Sequence, residues 1–251
     1  MNKYCIYIVL LIICFSKISF GAEKIVLATG EWIPYTSESM TGYGLITEIV
    51  TAAFKEVDIE SSYRFLPWKR AETELDNGNV FGIFPYILTL ERKKKYNFSE
   101  VLVDSKGHLF YYIPSKKVKK DFNWKTFSDF KKYRTGGTIG YWYEKPFKEA
   151  GLVVDYSVSD EQGIKKLKYG RIDILASEER VGWQLIHKLF PEDIEKFGVV
   201  KKPLNKDELR VMISRNYPDS HRIMMKLNAG IKKIKANGKL KRILQSYRIE
   251  N

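Results

Sequence analysis

The run "LKYGRIDILASE" (167–178) decides the fold, because it places a helix end, a stop and a buried strand side by side. Gly170 is typical of a helix C-terminus, since glycine adopts the left-handed conformation there without strain. Residues 171–177 are a short, mainly apolar run that ends at polar residues, as expected of a buried strand. Residues 75–86, "LDNGNVFGIFPY", repeat the order of helix, glycine, strand and polar end. The similarity predicts two lobes of like construction.

The residues around 75–86 alternate between short apolar runs and helical periods. The predicted strands are 24–29, 61–67 and 80–86, and the predicted helices are 44–57 and 68–78. Residues 44–57 repeat apolar side chains at helical spacing, and Pro67 suits the start of a helix, where its missing N–H costs nothing. A β-α-β-α-β order predicts an α/β lobe with a mixed, mostly parallel sheet flanked by helices.

A second succession of the same kind follows. Its predicted strands are 107–113, 134–140, 152–158 and 171–177, and its predicted helices are 143–151, 159–170 and 179–190. Ser159 is placed to cap the helix that follows it, because a serine oxygen accepts from the free N–H groups of a first turn. The second lobe is therefore expected to be α/β as well.

The tail comes after a complete second lobe, with a strand predicted at 208–214 and an amphipathic helix after Pro218. Gly238 interrupts the helical pattern. The helix carries one apolar stripe, which consists of Ile223, Leu227, Ile231 and Ile234. Such a stripe needs a sheet to cover it, so we expect the tail to return to the first lobe.

Two strands, near 107–113 and 208–214, would then cross between the lobes. Such a pair predicts a hinge with a cleft beneath it. The expected boundaries are residues 22–110 together with 209–251 for lobe 1, and residues 111–208 for lobe 2.

Residues 1–21 are predicted to be a secretory signal peptide. Lys3 precedes an apolar stretch, 4–15, and the small residues Ser19 and Gly21 follow. A transmembrane anchor is the alternative, but a bilayer span needs about 20 apolar residues and Lys17 interrupts the stretch too early. We therefore expect an exported, periplasmic protein.

The charge balance is strongly basic, with 43 Lys and Arg against 30 Asp and Glu and a net charge of +13. Removal of the signal would take away two lysines and also both cysteines, Cys5 and Cys14, so the mature chain would have no disulfide and no thiolate. A basic exported protein can favour anionic ligands, anionic membranes or nucleic acid, and the charge can equally serve solubility.

Motifs for catalysis, metal binding and nucleic-acid binding are missing from the sequence. The histidines are not at metal-ligand spacing, and neither a G-x-S-x-G elbow nor a Walker loop occurs. Glu178 and Glu179 could form an acid–base pair, although neighbouring carboxylates at a helix start are usually a solvated cap. Basic runs such as 92–95 and 232–235 are scattered and follow no nucleic-acid motif. We expect no metal, no cofactor and no nucleic-acid partner.

Five motifs in order resemble the polar amino-acid-type solute-binding proteins of bacterial ABC importers, extracellular solute-binding family 3. They are "ATGEWIPYT" (28–36), "GLITEIVTAAFKE" (44–56), "FLPWKRAETELDNG" (65–78), "FPYILTLERKKKYNFSE" (84–100) and "YGRIDILASEERVG" (169–182). The resemblance implies an α/β, two-lobed type II periplasmic binding fold joined by two crossing strands. Such a protein closes on a small solute and presents it to an ABC permease, and we expect it to act as a monomer.

The resemblance also implies ligand positions in lobe 1. Tyr35 matches the aromatic residue that packs over the ligand, and Trp32 is close enough to share that role. Trp68 matches an apolar pocket position at a helix start. Arg92 stands three residues after Thr89, as does the family arginine that forks onto the ligand's α-carboxylate. A guanidinium suits a planar anion because it makes two parallel hydrogen bonds to it.

In lobe 2, the resemblance assigns an anion-binding turn and an acidic group. Gly140, Tyr141 and Trp142 match a strand-to-helix turn whose backbone N–H groups help to hold the carboxylate. Glu178 stands five residues after Asp173, where the family usually has an aspartate that pairs with the α-ammonium. Glutamate keeps the charge and changes the reach.

The sequence departs from the family by replacing small hydroxyl residues with aromatic and apolar ones. Of the hydroxyl residues expected before Arg92, only Thr89 remains, and residues 93–95 are expected to be solvated loop. The aromatic residues expected to line the cleft are Trp32, Tyr35, Trp68, Tyr86, Tyr141 and Trp142. This set favours a bulkier, aromatic or cationic solute, or one that is not an amino acid.

The sequence is compatible with three functions. The expected one is a transport receptor for an amino acid or a related carboxylate or amine. Some relatives dehydrate cyclohexadienyl acids with acidic residues of the cleft, and Glu178 would be the candidate here. A sensor that reports the solute to a membrane receptor kinase is the third.

Overall fold

The computed structural model describes residues 23–119 and 122–247, and one ten-stranded sheet runs through them. The predicted signal peptide lies outside these residues. The strands are β1 (Glu23–Thr29), β2 (Ile59–Phe65), β3 (Gly82–Ile87), β4 (Asn97–Phe98), β5 (Val103–Tyr112), β6 (Thr135–Thr138), β7 (Val154–Ser157), β8 (Ile174–Glu178), β9 (Phe197–Val199) and β10 (Asn205–Ile213).

Eight α-helices flank the sheet in the described part of the chain. They are α1 (Leu45–Lys55), α2 (Trp68–Asp76), α3 (Leu90–Lys95), α4 (Glu144–Glu149), α5 (Asp160–Lys168), α6 (Glu179–Leu189), α7 (Ser220–Ala236) and α8 (Lys239–Ser246). None of these helices has both the length and the apolar character that crossing a bilayer requires.

The outer strands of the sheet pair in parallel and the central ones antiparallel. β1 lies between β2 and β3 in lobe 1, and β6 lies between β7 and β8 in lobe 2. β5 and β10 run side by side in the middle, from the pair Val103 and Leu209 to the pair Gly107 and Asn205. β5 then continues beside β8, while β10 continues beside β3. The predicted fold class, an α/β protein with two crossing strands, is confirmed; the exact lobe boundaries stay a prediction.

Local signals begin and end the helices near the residues that the sequence predicts. The Ser159 hydroxyl accepts from the Gln162 N–H at 3.3 Å and so caps α5. Gly170 follows this helix with φ +65°, and Gly238 separates α7 from α8 with φ +73°. These positive φ angles are available to glycine at little cost, which fixes the helix ends.

The basic run after β3 is a helix, so the prediction of a loop there is wrong. The Thr89 hydroxyl accepts from the Arg92 N–H at 3.2 Å and caps α3. At the other end, Arg215 donates to the carbonyl oxygens of Lys93 and Lys94, each at 2.9 Å. Because both ends are hydrogen-bonded, six residues suffice for a helix. The lysine side chains are exposed, as expected.

The tail packs on lobe 1, because α7 lies against α1 and buries its apolar stripe. The side chains of Ile223, Leu227, Ile231 and Ile234 are each at most 2% exposed. Full burial of one such side chain contributes about 1.5–3 kcal/mol. The carboxylate of Glu23, in the first strand, also pairs with Arg222 at 2.6 Å, which lowers the pKa of Glu23 to about 2.

The contact between α1 and α7 leaves no room for a side chain at Gly230. A Cβ atom there would lie 2.0 Å from the backbone oxygen of Ala53. In an open helix Gly→Ala stabilises by about 1 kcal/mol, but in Gly230→Ala the new methyl group must push the helices apart. We expect the melting temperature to fall by about 3–10 °C, measured by circular dichroism.

The matched control is Met225→Ala, an exposed position of the same helix, which should change the melting temperature by about 1 °C at most. A Gly230→Ala protein that melts at or above the wild-type temperature would contradict the close approach of the two helices.

Candidate functional site

The predicted site residues lie at the carboxyl ends of parallel strands in both lobes. Trp32 and Tyr35 follow β1, and Arg92 follows β3. In lobe 2, residues 140–142 follow β6, and Glu178 is the last residue of β8. The carboxyl ends of parallel strands share one edge of a sheet, which is where α/β folds bind their ligands.

Tyr35 and Glu178 bond directly across the cleft. The Tyr35 hydroxyl donates to Glu178 Oε1 at 2.7 Å. The second oxygen, Oε2, accepts from the Val181 N–H at 2.9 Å, so Glu178 also caps α6. Tyr35 is 0% exposed and Glu178 is 6% exposed. A cap was expected at this helix start, but a solvated one; the cap is in fact buried between the lobes.

Arg180 completes this cluster, which we call the Tyr35 bridge: Tyr35, Glu178 and Arg180. Arg180 Nη1 donates to the Tyr35 hydroxyl and to the Asp104 carbonyl oxygen, both at 3.0 Å. The Tyr35 hydroxyl therefore accepts from a cation and donates to an anion. Arg180 was not among the predicted site residues. The one sequence feature that could have indicated it is its position as the third charged residue in a row, after Glu178 and Glu179. Solvated helix starts show the same pattern.

Burial raises the pKa of Glu178 above its ordinary value, because a buried carboxylate loses its hydration. Hydrogen bonds from the Val181 N–H and the Tyr35 hydroxyl act in the opposite direction. The Ser105 hydroxyl and the Lys106 N–H lie farther away, at 3.4 and 3.5 Å from Oε1. Both oxygens of Glu178 thus have donors from the protein itself.

A second contact across the cleft runs from Trp32 to Asp160. The Trp32 indole N–H donates to the Tyr141 hydroxyl at 3.2 Å, and this hydroxyl donates to Asp160 Oδ2 at 2.6 Å. The Thr138 hydroxyl donates to the other oxygen at 2.8 Å. Trp32 also stacks on Tyr35, with 4.5 Å between ring centroids. Asp160 was not predicted, since an acidic residue after a serine cap is common in any first turn.

Trp68, Tyr86 and Arg92 form a separate group in lobe 1, which we call the arginine shelf. The Arg92 guanidinium carbon lies 4.8 Å from the centroid of the Tyr86 ring, and Nη1 donates to the Ile87 carbonyl oxygen at 3.1 Å. Tyr86 meets Trp68 edge to face at 5.9 Å. Arg92 is half-buried, and it forms no ion pair with any carboxylate of residues 23–119 or 122–247.

The other predicted residues already have partners or lie elsewhere. Thr89 caps α3, and the Gly140 N–H, which was predicted to hold a ligand carboxylate, donates to the carboxylate of Glu144. Trp142 is 38% exposed at the rim of a cavity of about 630 Å³. The cavity lies on lobe 2 alone, since it is lined by Gly140, Tyr141, Trp142, Glu144, Lys145, Lys148, Leu152 and Tyr156.

No metal site accompanies these clusters: among the residues with described positions, no group of three or more His, Cys, Asp or Glu side chains could hold an ion. A family comparison then decides the class of protein. The sequence model of the bacterial extracellular solute-binding proteins, family 3, matches residues 25–250. The chain belongs to this family. A solute-binding role follows, as the sequence resemblance implies. Among curated protein sequences, none matches the chain.

Three solved structures illustrate what this family 3 protein is similar to. An arginine 3rd transport system periplasmic binding protein from Legionella pneumophila has a TM-score of 0.69 at 17% identity, covering 90% of this chain and 100% of that one. A histidine kinase sensor domain with similarity to periplasmic binding proteins has a TM-score of 0.71 at 12% identity, covering 90% and 96%.

The third, the ancestral amino acid-binding protein AncCDT-1, a precursor of cyclohexadienyl dehydratase, has a TM-score of 0.66 at 17% identity, covering 88% and 94%. At these identities the likeness shows the shared fold alone. A binding protein, a sensor domain and the precursor of an enzyme all share this fold. The function of this family 3 protein therefore has to be argued from its own residues.

Glu178→Gln tests the burial of the carboxylate in the bridge. A raised pKa favours folding while the group is protonated; this contribution is complete below 4.5, the ordinary value, and is lost as the pH rises through the raised pKa. Glutamine can still accept from the Val181 N–H but does not ionise. We expect the free energy of unfolding of the variant, relative to wild type, to increase as the pH rises above 4.5.

Urea unfolding at a series of pH values measures this difference. The control is Glu38→Gln, at an exposed loop residue, which should follow the wild-type pH dependence. A difference between Glu178→Gln and wild type that stays constant with pH would contradict the buried, ionisable role of Glu178.

Proposed function

We propose that this family 3 protein is a transport receptor that captures a small solute, an amino acid or a related carboxylate or amine, between its lobes and delivers it to an ABC permease. The observation that carries the proposal is the setting of Arg92 on the arginine shelf. Its guanidinium is half-buried, rests on an aromatic ring and lies at the edge of the sheet where α/β folds bind ligands.

Arg92 has the donors that a carboxylate needs. A guanidinium carries five N–H groups in a fixed fork, and the carbonyl oxygen of Ile87 takes one of them. Hydrogen bonds to charged groups contribute about 1.5–3 kcal/mol each, while a micromolar complex needs about 8 kcal/mol in all. Two such bonds, with the rings of Trp68 and Tyr86 against the apolar body of the solute, supply much of that affinity.

The crossing strands and the cleft contacts support a cycle of opening and closing. β5 and β10 are the connections between the lobes that lie in the sheet, and a pair of strands can bend as a hinge. The hydrogen bonds from Tyr35 to Glu178 and from Trp32 to Tyr141 form when the lobes approach. A permease can then distinguish the closed receptor by shape. Export of the protein by residues 1–21 to the periplasm, as a monomer, belongs to the same proposal.

One observation favours the enzymatic alternative: the pKa of Glu178 is raised by burial, as in many general acids. However, both of its oxygens accept hydrogen bonds from the protein. We therefore expect stoichiometric binding without turnover when purified protein is incubated with a cyclohexadienyl acid and the products are followed by chromatography. Product formation that is lost in Glu178→Gln would establish the dehydratase instead.

Arg92→Ala should abolish the binding of carboxylate solutes, because it removes the fork and its charge. With two charged hydrogen bonds lost, we expect affinity to fall by at least about a hundredfold. Arg92→Lys keeps the charge without the fork and should bind with intermediate affinity. A thermal-shift screen with amino acids, polyamines and small carboxylates finds the solute, since a ligand at a hundred times its Kd adds about 2.7 kcal/mol of stability.

Lys93→Ala is the matched control, because Lys93 is the next residue of α3 and its side chain is exposed. It should bind every hit of the screen as wild type does. If Arg92→Ala did the same, Arg92 would not be the carboxylate site and the proposal would lose its support.

A further inference from the structure

We propose that the solute is a small organic carboxylate without an ammonium group. This inference rests on the proposed function and narrows it. It starts from the acidic groups of lobe 2, which an amino acid would need for its positive end. Hydroxyl and backbone N–H groups of the protein already bind to those acidic groups, whereas the arginine shelf in lobe 1 has unused donors.

Glu178 has no place left for a ligand ammonium. Its Oε1 accepts from the Tyr35 hydroxyl at 2.7 Å and its Oε2 from the Val181 N–H at 2.9 Å. A carboxylate has about four lone-pair sites, but the side chain of Glu178 belongs to a residue only 6% exposed, so a solute can hardly reach those that remain. An ammonium would have to displace Tyr35.

Displacing Tyr35 is costly for two reasons. Its ring is 0% exposed and stacks on Trp32 at 4.5 Å, so leaving its place uncovers a buried aromatic residue. An ammonium in place of the hydroxyl would also lie beside Arg180, whose Nη1 is 3.0 Å from that hydroxyl. Like charges placed together across an interface repel each other and weaken binding. A neutral phenol fits between Glu178 and Arg180, and a second cation does not.

Asp160, the second acidic group next to the cleft, is satisfied in the same way. Its two oxygens accept from the hydroxyls of Tyr141 and Thr138, at 2.6 and 2.8 Å. Tyr141 is fixed in turn by the indole of Trp32. Each oxygen of Glu178 and Asp160 thus accepts a hydrogen bond from a neutral group of the protein.

The guanidinium of Arg92, a cation, still has N–H donors without a hydrogen-bond partner in the described part of the chain. Arg92 donates one of its five N–H groups to the Ile87 carbonyl oxygen. Within residues 23–119 and 122–247, it forms no ion pair with a carboxylate. The rings of Trp68 and Tyr86 beside it suit a flat or apolar body. An acid group for Arg92 and a flat or apolar body for the rings, without an α-ammonium, therefore describe the solute class.

Isothermal titration calorimetry with matched pairs of ligands tests the inference. Each pair differs only by the α-amino group: 3-phenylpropionate and phenylalanine, glutarate and glutamate, 5-guanidinopentanoate and arginine. We expect at least one acid to bind, and its amino-acid partner to bind at least about tenfold more weakly. Tyr35→Phe keeps the ring but removes the hydroxyl that occupies Oε1 of Glu178, so this tenfold preference should shrink. The matched control is Tyr63→Phe, which removes a hydroxyl that is hydrogen-bonded to Thr51 and Ser61 in lobe 1. This variant should keep the wild-type preference for the acid.

Each other result overturns a specific statement. If wild type binds the amino acid of a pair as tightly as the acid, or more tightly, the inference fails and the transport proposal stands. If phenethylamine binds and no acid does, the inference fails and so does the role of Arg92. If no acid and no amino acid binds, the inference fails together with the proposed function. If Tyr35→Phe does not fold, the ligand pairs measured on wild-type protein test the inference by themselves.

Discussion

The antiparallel pairing of β5 with β10 is the constraint on which the two-lobed arrangement depends. Gly107 lies where the two strands separate, and a Cβ atom there would be 2.2 Å from Oδ1 of Asn205. The same oxygen accepts from the Gly107 N–H at 3.0 Å. β5 also carries the Asp104 carbonyl that holds Arg180 and the Ser105 hydroxyl near Glu178. The strand that joins the lobes therefore also positions the contacts between them.

Joining two lobes through a buried carboxylate costs free energy, because the charge loses its hydration on burial. Here the hydroxyl of Tyr35, the N–H of Val181 and the guanidinium of Arg180 offset that cost. Polar groups of this kind bond only in one relative orientation of the lobes. Apolar contact alone, such as that of Val181 with the lobe 1 core, would tolerate many orientations. Directional bonding thus specifies one arrangement of the two lobes.

Sequence patterns predicted the elements well because burial and capping are local signals. The stripe on α7 and the caps at Ser159 and Gly170 each depend on a few neighbouring residues. Contacts between distant residues were out of reach: Tyr35 and Glu178 are 143 residues apart. Family motifs pointed to both, yet not to each other as partners, and they missed Arg180 and Asp160. α3 was missed for the same reason, since its C-terminal end is held by Arg215, 121 residues beyond Lys94.

The return of the tail to lobe 1 has a consequence for how the chain is made. A ribosome that has released residues 1–204 has delivered every strand of lobe 2, because β9 ends at Val199. At that moment lobe 1 still lacks β10, α7 and α8, and the apolar side of α1 lacks its contact with α7. Lobe 2 can therefore form from one nearly continuous stretch of chain, whereas lobe 1 stays incomplete until β10, α7 and α8 join its first strands. The first residues of lobe 1 thus depend on residues about 200 positions later in the chain for their cover, as in the pair Glu23 and Arg222.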